Sequence, residues 1–457
     1  MTDIKFGTDG WRAVVGKDFT EENVSRVSNA IAKYVFDNYG ITKKIIIGYD
    51  PRNMADVFSK QCADILAQKG FDVYYSSRVI PTPVLAFCAK DRNSCAVMFT
   101  ASHNPPEYLG IKFIPDYAGP ATQEITDEIV SNIDKEFSTG AQPKQITVEN
   151  FEEEYYKHIE SIIDFESIKE LDTTIIFDGL YAASIGYFDK LLEKHDIPYE
   201  SLHMYHDPNF GGGMPEPKPK FLQDLIAKVK ENGNAIGLAN DGDSDRFGVI
   251  NENGEYVSPN EIIAILLLHL AGEKNMEGCL VKTVGASLLL NKVADLLNVP
   301  VVETAVGFKH VGQAMRDNEC IIGGEESGGL SIQGHIPEKD GILANLLILE
   351  AMAYSRKSLV DLQKEIKALA GCSFVNDRID LRLYSRDKIK TILDRISSLS
   401  DEKNLTDGVK IYFGDSSWVL ARPSGTEPLL RIYFESDTEA HLKTLQKDIM
   451  SKIDDII

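Results

Sequence analysis

Asp241, Asp243 and Asp245 alternate in the segment Asp241-Gly-Asp-Ser-Asp-Arg246, so one turned or extended stretch can aim three carboxylates at a single point. Three negative groups held that close repel one another unless a cation neutralises them, and hard oxygen donors favour Mg²⁺ or Ca²⁺. Part of the pattern also suits an EF-hand calcium loop, because Asp stands at loop positions 1, 3 and 5 and Glu252 at position 12. Against that reading, Arg246 stands where the loop needs its turn-forming glycine, and the preceding segment reads as a strand. A solvated acidic turn is the plain alternative.

Three further segments carry chemistry-bearing groups. Thr100-Ala-Ser-His-Asn-Pro105 sets a hydroxyl beside an imidazole. Adjacent Ser and His rarely form a hydrolytic dyad, because the base must approach from another element, and no GxSxG elbow surrounds Ser102. A serine that carries a phosphoryl group beside a divalent metal suits an acid-rich site better. Arg422-Pro-Ser-Gly-Thr-Glu-Pro428 offers a guanidinium, two hydroxyls and backbone N–H groups around Gly425, a nest for a phosphate dianion to which Arg431 can add charge. It lacks Walker spacing. Gly324-Glu-Glu-Ser-Gly-Gly329 places carboxylates and a hydroxyl on a glycine-rich turn suited to the hydroxyls of a sugar.

Each of these four loops follows an apolar run that reads as a strand. Lys44–Asp50, Phe71–Ser77 and Ala96–Thr100 read as strands and Met54–Lys69 as an amphipathic helix. A second unit reads as strand Thr173–Phe177, helices near Ser184–Lys194 and Lys218–Lys230, and strand Ala235–Ala239. A third runs from a helix at Asn260–Gly272 through strands Cys279–Thr283, Val301–Thr304 and Cys320–Ile322. Strands alternating with helices predict parallel-rich α/β sheets. The last ninety residues or so differ, with strands at Val409–Phe413, Ser417–Ala421 and Leu429–Phe434 clustered between two amphipathic helices, which predicts an antiparallel α+β domain. The expected cuts give domains 1–150 (the Ser102 loop), 151–254 (the acidic loop), 255–370 (the Glu325 loop) and 371–457 (the Arg422 loop). Open α/β sheets bind ligands at the carboxyl ends of their strands, so the four loops, one per domain, could meet in one cleft.

The 457 residues are 43% hydrophobic and 26% charged, which excludes a disordered or collagen-like chain. With 48 basic against 70 acidic residues, the net charge is −22, and nucleic acid is not an expected partner. The longest apolar run, Ile262–Leu268, is too short to span a bilayer. Six scattered cysteines without CxxC spacing argue against a disulfide framework and a zinc site. With no apolar signal core in Met-Thr-Asp-Ile-Lys-Phe-Gly, a reduced, cytoplasmic protein is expected.

Taken in order, the loops resemble the α-D-phosphohexomutase family along essentially the whole chain. The segments that carry the resemblance are Phe6-Gly-Thr-Asp-Gly-Trp-Arg12, Thr100–Pro105, Asp241–Arg246, Gly324–Gly328 and Arg422–Thr426, supported by Asp207–Gly211, Val281–Thr283 and Gly307–His310. The resemblance implies three related mixed-sheet α/β domains and a smaller C-terminal α+β domain around a central cleft. It implies that Ser102 is phosphorylated and that Asp241, Asp243 and Asp245 hold Mg²⁺ against its phosphate. Glu325 and Ser327 would bind sugar hydroxyls. Arg422, Ser424, Gly425 and Thr426, with Arg431, would hold the phosphate that does not react. Arg12, Lys112, Lys282 and Arg246 would line the reacting centre, and Gly307, Lys309 and His310 would meet substrate. Two positions depart from the family pattern, Leu109 for Asn and Ser244 for Gly or Ala.

The implied reaction interconverts hexose 1- and 6-phosphates through the phosphoserine and a bound 1,6-bisphosphate, with Lys282 or His103 as the general base. Glu326 resembles the glucose-type loop, so glucose phosphate is the first expectation and mannose phosphate the second. The alternatives are a phosphoglucosamine mutase of cell-wall precursor synthesis, a non-catalytic sugar-phosphate-binding relative, and a metal-dependent phosphatase, which would need no second phosphate loop. A monomer or small homo-oligomer is expected.

Overall fold

The computed structural model describes residues 4–7, 9–371, 373–383, 385–423 and 429–457. The chain divides into two units, one running to Ser258 and including Ser327–Val360, the other comprising Pro259–Glu326 and Asp361–Ile457.

The first unit holds two mixed sheets. In the first, β1 (Trp11–Val14), β2 (Ile45–Tyr49), β3 (Val73–Ser76), β4 (Cys95–Phe99), β5 (Tyr108–Ile114) and β6 (Thr147–Glu149) lie in the order β1-β5-β4-β2-β3-β6. Strands β2, β3, β4 and β6 are parallel, while β5 and β1 run antiparallel to their neighbours. Ile45, Ile46 and Ile47 are all fully buried, as a strand covered on both faces requires. The helix Glu21–Tyr39 starts where the Thr20 side chain accepts the Asn23 N–H and carries Glu21 and Glu22 in its first turn. In the second sheet, β7 (Thr174–Asp178), β8 (Tyr199–Leu202), β9 (Ala235–Asn240), β10 (Phe247–Ile250) and β11 (Tyr256–Val257) take the order β11-β10-β9-β7-β8.

Here the expected helix Lys218–Lys230 is shifted. Pro219 opens a short 3₁₀ turn, and the α-helix runs Gln223–Asn232 before Gly233 ends it at φ 76°. The expected helix near Ser184 likewise begins only at Phe188.

After Ser258 the chain enters the second unit. The helix expected at Asn260–Gly272 is α-helical over Pro259–Leu267 and continues as π-helix through Leu268–Glu273. Strands β12 (Cys279–Thr283), β13 (Val301–Thr304) and β14 (Cys320–Glu325) are parallel, with β12 in the middle.

The chain then returns to the first unit as β15 (Gly329–Ile332) and the helix Gly341–Ser355. That helix packs on β9, β10 and β15. Its Leu343, Leu346, Leu347, Ile348 and Leu349 are fully buried around the whole circumference, and a helix apolar on all sides gives no amphipathic signal. The Asp340 carboxylate caps it by accepting the Leu343 N–H at 2.9 Å.

The C-terminal part of the second unit is an antiparallel sheet of β16 (Val375–Arg382), β17 (Lys403–Asn404), β18 (Val409–Tyr412), β19 (Trp418–Pro423) and β20 (Leu429–Ser436), ordered β16-β20-β19-β18-β17. Helices Arg386–Ser397 and Glu439–Ile453 place Ile392, Ile396, Ile449 and Ile453 in its core. The described cysteines, 62, 88, 95, 279 and 320, are buried free thiols. Among the described residues no helix is long and apolar enough to cross a membrane.

Candidate active site

Strand β9 runs out into the acidic segment and β10 returns antiparallel, with Asn240 paired to Phe247, so Asp241–Arg246 is the loop of a β-hairpin. The Asn240 side chain donates to the Arg246 carbonyl at 2.9 Å, the Arg246 N–H donates to Asp241 Oδ1 at 3.0 Å, and Ser244 takes a left-handed φ of 64°. This tight closure points Asp241, Asp243 and Asp245 inward, one oxygen of each within 4.8 Å of the others and all three fully buried. Because the loop joins two strands, the EF-hand reading fails. Glu252 is also engaged elsewhere, accepting the Leu359 and Val360 N–H groups at 2.7 and 3.1 Å.

The Ser102 loop lies against this hairpin. It leaves β4 and returns in β5, and a Cβ on Gly242 would stand 2.4 Å from the Ser102 carbonyl oxygen, so only glycine admits that approach. Ser102 Oγ donates to Asp241 Oδ2 at 2.8 Å and lies 3.2 Å from His103 Nδ1. Lys112 Nζ, from β5, reaches Asp9 at 2.7 Å, Asp243 at 2.8 Å and Asp245 at 3.1 Å. Arg12, from β1, donates to the Asn104 side chain at 2.6 Å and pairs with Asp9 at 3.3 Å. Arg246 Nε lies 3.9 Å from Asp245. Leu109, the departure beside Lys112, sits in the apolar core with Ile111 and Phe113, on the strand face opposite the lysine.

Two members of this cluster were not anticipated. Lys339 places Nζ 2.7 Å from Asp245 and 3.6 Å from Asp9. Asp9 lies inside the quoted Phe6–Arg12 segment, whereas the only hint of Lys339 was a charged run, Glu338-Lys-Asp340, abutting an apolar helix.

These neighbours decide the protonation states. Burial, with Asp245 and Asp243 alongside, raises the Asp241 carboxyl well above its ordinary range. Burial acts on Asp245 in the same sense, but Lys112, Lys339 and Arg246 hold it well below that range. Burial, Arg246 and Arg12 push His103 far below the ordinary histidine value, so its imidazole is neutral at pH 7. Burial of a carboxylate cluster is costly without counter-charge, and among the described residues Asp243 Oδ1 and Asp245 Oδ1 have no hydrogen-bond partner. Three buried carboxylates converging on one point, two of them with an unpaired oxygen, fit a hard divalent cation, so the triad could hold a metal ion.

The first unit thus brings together Ser102, His103, Arg12, Lys112, Arg246 and the three aspartates, and Ser327 also belongs to it. The remaining expected residues lie in the second unit. Lys282, fully buried on β12, pairs with Glu303 at 3.1 Å and donates to the Ser287 carbonyl at 3.2 Å. Glu325 ends β14, and beside it Glu326 accepts the Thr283 hydroxyl at 2.6 Å. Gly307, at φ 118°, precedes the helix Phe308–Asp317, whose first turn carries Lys309 and His310. Arg422 and Arg431 stand directly opposite each other on β19 and β20. Like charges in that position repel, and Asp407 lies 2.8 Å from Arg422 Nε. Ser424, Gly425 and Thr426 lie outside the described residues.

Three α/β domains with a smaller α+β domain, and a serine hydrogen-bonded to a buried acidic triad among lysines and arginines, define an enzyme of phosphoryl transfer. The family profiles match the chain in four successive segments. Phosphoglucomutase/phosphomannomutase alpha/beta/alpha domains I, II and III match residues 3–139, 153–254 and 258–369, and the C-terminal domain of that family matches 381–452. The chain is 33% identical to a Pyrococcus abyssi protein named "Probable phosphoglucosamine mutase", covering 99% of this chain and 98% of the other. It is 31% identical to the phosphoglucosamine/phosphogalactosamine mutase of Sulfurisphaera tokodaii, covering 95% of each. A crystal structure of a Thermus thermophilus protein named "putative phosphomannomutase" superposes with a TM-score of 0.88 at 30% identity, over 99% of both chains. The chain belongs to the phosphoglucomutase/phosphomannomutase family. It is a phosphohexomutase, an intramolecular phosphotransferase.

Proposed function

We propose that this enzyme interconverts the 1- and 6-phosphates of a hexosamine, glucosamine first, with glucose and mannose phosphates as slower substrates. The mutase chemistry rests on one observation, the Ser102 hydroxyl 2.8 Å from Asp241 within a cluster where Asp9 and the triad face Arg12, Lys112, Lys339 and Arg246. The choice of sugar rests on the relatives. Both curated relatives named above act, by name, on phosphoglucosamine. The competing argument for glucose came from Glu326, and its carboxylate is engaged with the Thr283 hydroxyl.

In this reading, phosphorylated Ser102 gives its phosphoryl group to the free hydroxyl of the sugar monophosphate. The Oγ–P bond breaks as the new sugar O–P bond forms, and the hydroxyl proton passes to a base. The resulting 1,6-bisphosphate reverses its orientation, and its other phosphoryl group returns to Ser102. Lys112, Lys339, Arg12 and Arg246 offset charge on the transferring oxygens. His103 and Lys282 are the two candidates for the base. Neutral His103 can accept a hydrogen bond at Nδ1 but is a weak acceptor of a full proton, and Lys282, paired with Glu303 at 3.1 Å, would have to release its own proton before taking one. Mg²⁺ held by Asp241, Asp243, Asp245 and the Ser102 phosphate would supply Lewis-acid stabilisation of the phosphoryl oxygens. Arg422, Ser424, Gly425, Thr426 and Arg431 hold the phosphate that does not react, Glu325 and Ser327 the sugar hydroxyls, and Gly307, Lys309 and His310 complete the substrate site.

Side-by-side kcat/KM values for glucosamine, glucose and mannose 1-phosphates, with Mg²⁺ and catalytic hexose 1,6-bisphosphate, test the assignment. Glucosamine 1-phosphate is expected to lead by at least about tenfold, the range that one well-placed polar contact provides. A lead for glucose 1-phosphate would restore the reading based on Glu326.

A further inference from the structure

Asp50-Pro-Arg52 looks like an ordinary turn after β2, yet Arg52 is only 3% exposed and its guanidinium is completely engaged. Nε faces Asp50 Oδ2 at 3.2 Å. One terminal nitrogen donates to the carbonyls of Pro105 and Tyr108 at 2.8 and 3.0 Å. The other donates to the carbonyls of Ser102 and Asn104, both at 2.6 Å. An arginine has five N–H donors in a fixed fork, and here Asp50 takes one and four carbonyls of a single loop take the rest. No donor is left for a substrate.

The same assembly grips the loop from its other side. Asp50 Oδ2 accepts the Thr100 hydroxyl at 2.6 Å, and that hydroxyl oxygen accepts the Ser102 N–H at 2.8 Å. Asp50 itself is tied to the end of β4 through its N–H and the Phe99 carbonyl at 3.0 Å. The Phe210 ring closes over the guanidinium, 5.0 Å away. Between these restraints Ser102 sits at φ 50°, a conformation that costs a non-glycine residue free energy and persists only where its surroundings enforce it. Both peptide groups flanking Ser102 are therefore held, the N–H by Thr100 and the carbonyl by Arg52.

We propose that Arg52 is the positioning residue for phosphoryl transfer. Its guanidinium is the template on which the 102–108 loop folds, and it sets the place of Ser102 Oγ without touching the sugar phosphate. Lysine cannot replace it, because an ammonium offers three donors from one point and cannot span four carbonyls. This inference rests on the reading that Ser102 carries the transferring phosphoryl group.

The test uses Arg52→Lys and Arg52→Ala in the full chain, compared with wild type and Ser102→Ala. Transfer of label from hexose 1,6-bisphosphate to Ser102 is followed in a single turnover, alongside steady-state kcat and KM and thermal melting. Arg52→Lys should label about a hundredfold more slowly, the scale of loss for a reacting atom displaced by an ångström. Its kcat should fall by the same factor while KM changes less than about threefold. Added guanidinium should restore part of the Arg52→Ala rate and leave Ser102→Ala unlabelled. Wild-type labelling kinetics in Arg52→Lys, a KM that rises in step with the loss of kcat, or no rescue by guanidinium would overturn the inference. So would loss of cooperative melting in Arg52→Lys, which would make the residue a plain core ion pair. If wild type itself takes no label at Ser102, the mutase reading fails and this inference with it. A labelled wild type beside an unaffected Arg52→Lys sinks this inference alone.

Discussion

Two buried lysines, one in each unit, show how surroundings set a charge. Lys112 lies 4% exposed among Asp9, Asp243 and Asp245, and although burial disfavours its ammonium, the three carboxylates hold its proton well above the ordinary lysine range. Lys410, on β18, is fully buried with its Nζ on the Val284 carbonyl at 2.8 Å and the rings of Trp418 and Tyr412 at 4.2 and 5.2 Å. Burial and nearby Lys282 bring it down to about 7, although Glu303, Glu435 and Glu326 pull the other way. The apparent burial is similar, and the outcome is opposite. Carboxylates within hydrogen-bond reach keep a buried lysine charged, whereas aromatic faces and more distant carboxylates do not. The first environment suits a permanent cation beside transferring phosphate, and the second holds a lysine poised near neutrality.

The largest expected effect falls on the charged cluster. Ser102→Ala removes the only proposed phosphoryl acceptor, so mutase turnover should drop by roughly four or more orders of magnitude, the scale seen when a covalent nucleophile is lost. The melting temperature should stay close to that of wild type. Intact-mass measurement should find one phosphate on part of the wild-type protein and none on the variant. Near-normal turnover in the variant would sink the phosphoserine assignment.

Asp245→Asn should follow, because it strips a carboxylate from both Lys112 and Lys339. Leaving buried cations under-compensated costs roughly 3–5 kcal/mol, so thermal melting should show a marked loss of stability. The Mg²⁺ concentration for half-maximal rate should also rise at least about tenfold with one anionic ligand gone. An unchanged melting temperature would mean that Asp9 and Asp243 suffice for both lysines, and the contrast with Lys410 would lose its electrostatic basis.

Much of the charged cluster was legible because its parts are short polar loops following apolar runs, a pattern that burial and strand geometry impose on sequence. The Asp241–Asp245 hairpin and the Ser102 loop both follow that rule. Lys339 and Arg52 were not legible, since each lies in an ordinary-looking charged turn whose role depends on which distant loop folds over it. The helix Gly341–Ser355 lacked the one-sided periodicity that marks a surface helix. Its association with the first unit, after an excursion through Pro259–Glu326, follows from packing that no local pattern encodes. Lys410 was hidden for the converse reason. In Val409-Lys-Ile411 the alternation suggests a solvent-facing lysine, but Val284, Trp418 and Leu420 form an apolar cluster that accompanies the second face.

Lys410 makes the comparison measurable through pH. Unfolded, a lysine takes up its proton below about 10.5, whereas folded Lys410 does so only below about 7. Between those values the unfolded chain binds more protons, so this group's contribution to stability rises as pH climbs through the window, and its full penalty applies below pH 7. Lys410→Met abolishes the titration. The unfolding free energy of wild type minus that of Lys410→Met should therefore increase by roughly 2–5 kcal/mol between pH 7 and 10. A flat difference would mean that Lys410 stays charged like Lys112, and the contrast would collapse.

The smallest expected effect comes from Glu326→Gln, which sharpens the comparison and addresses the sugar question together. Glu326 is one of the carboxylates that favour the Lys410 ammonium, and its Oε2 accepts the Thr283 hydroxyl. Gln keeps an acceptor oxygen for Thr283 but removes the charge, so the fold should persist while Lys410 loses part of its support. The midpoint of the pH-dependent stability difference should then move to lower pH, by a fraction of a unit, since Glu303 and Glu435 remain. Because this carboxylate is committed to Thr283, the ratio of kcat/KM for glucosamine 1-phosphate to that for glucose 1-phosphate should change less than about threefold, below the loss expected for a direct hydrogen bond to a charged group. A tenfold swing in that ratio with no shift of the midpoint would reverse the assignment, making Glu326 a determinant of sugar choice and leaving Lys410 governed by Glu303 and Glu435.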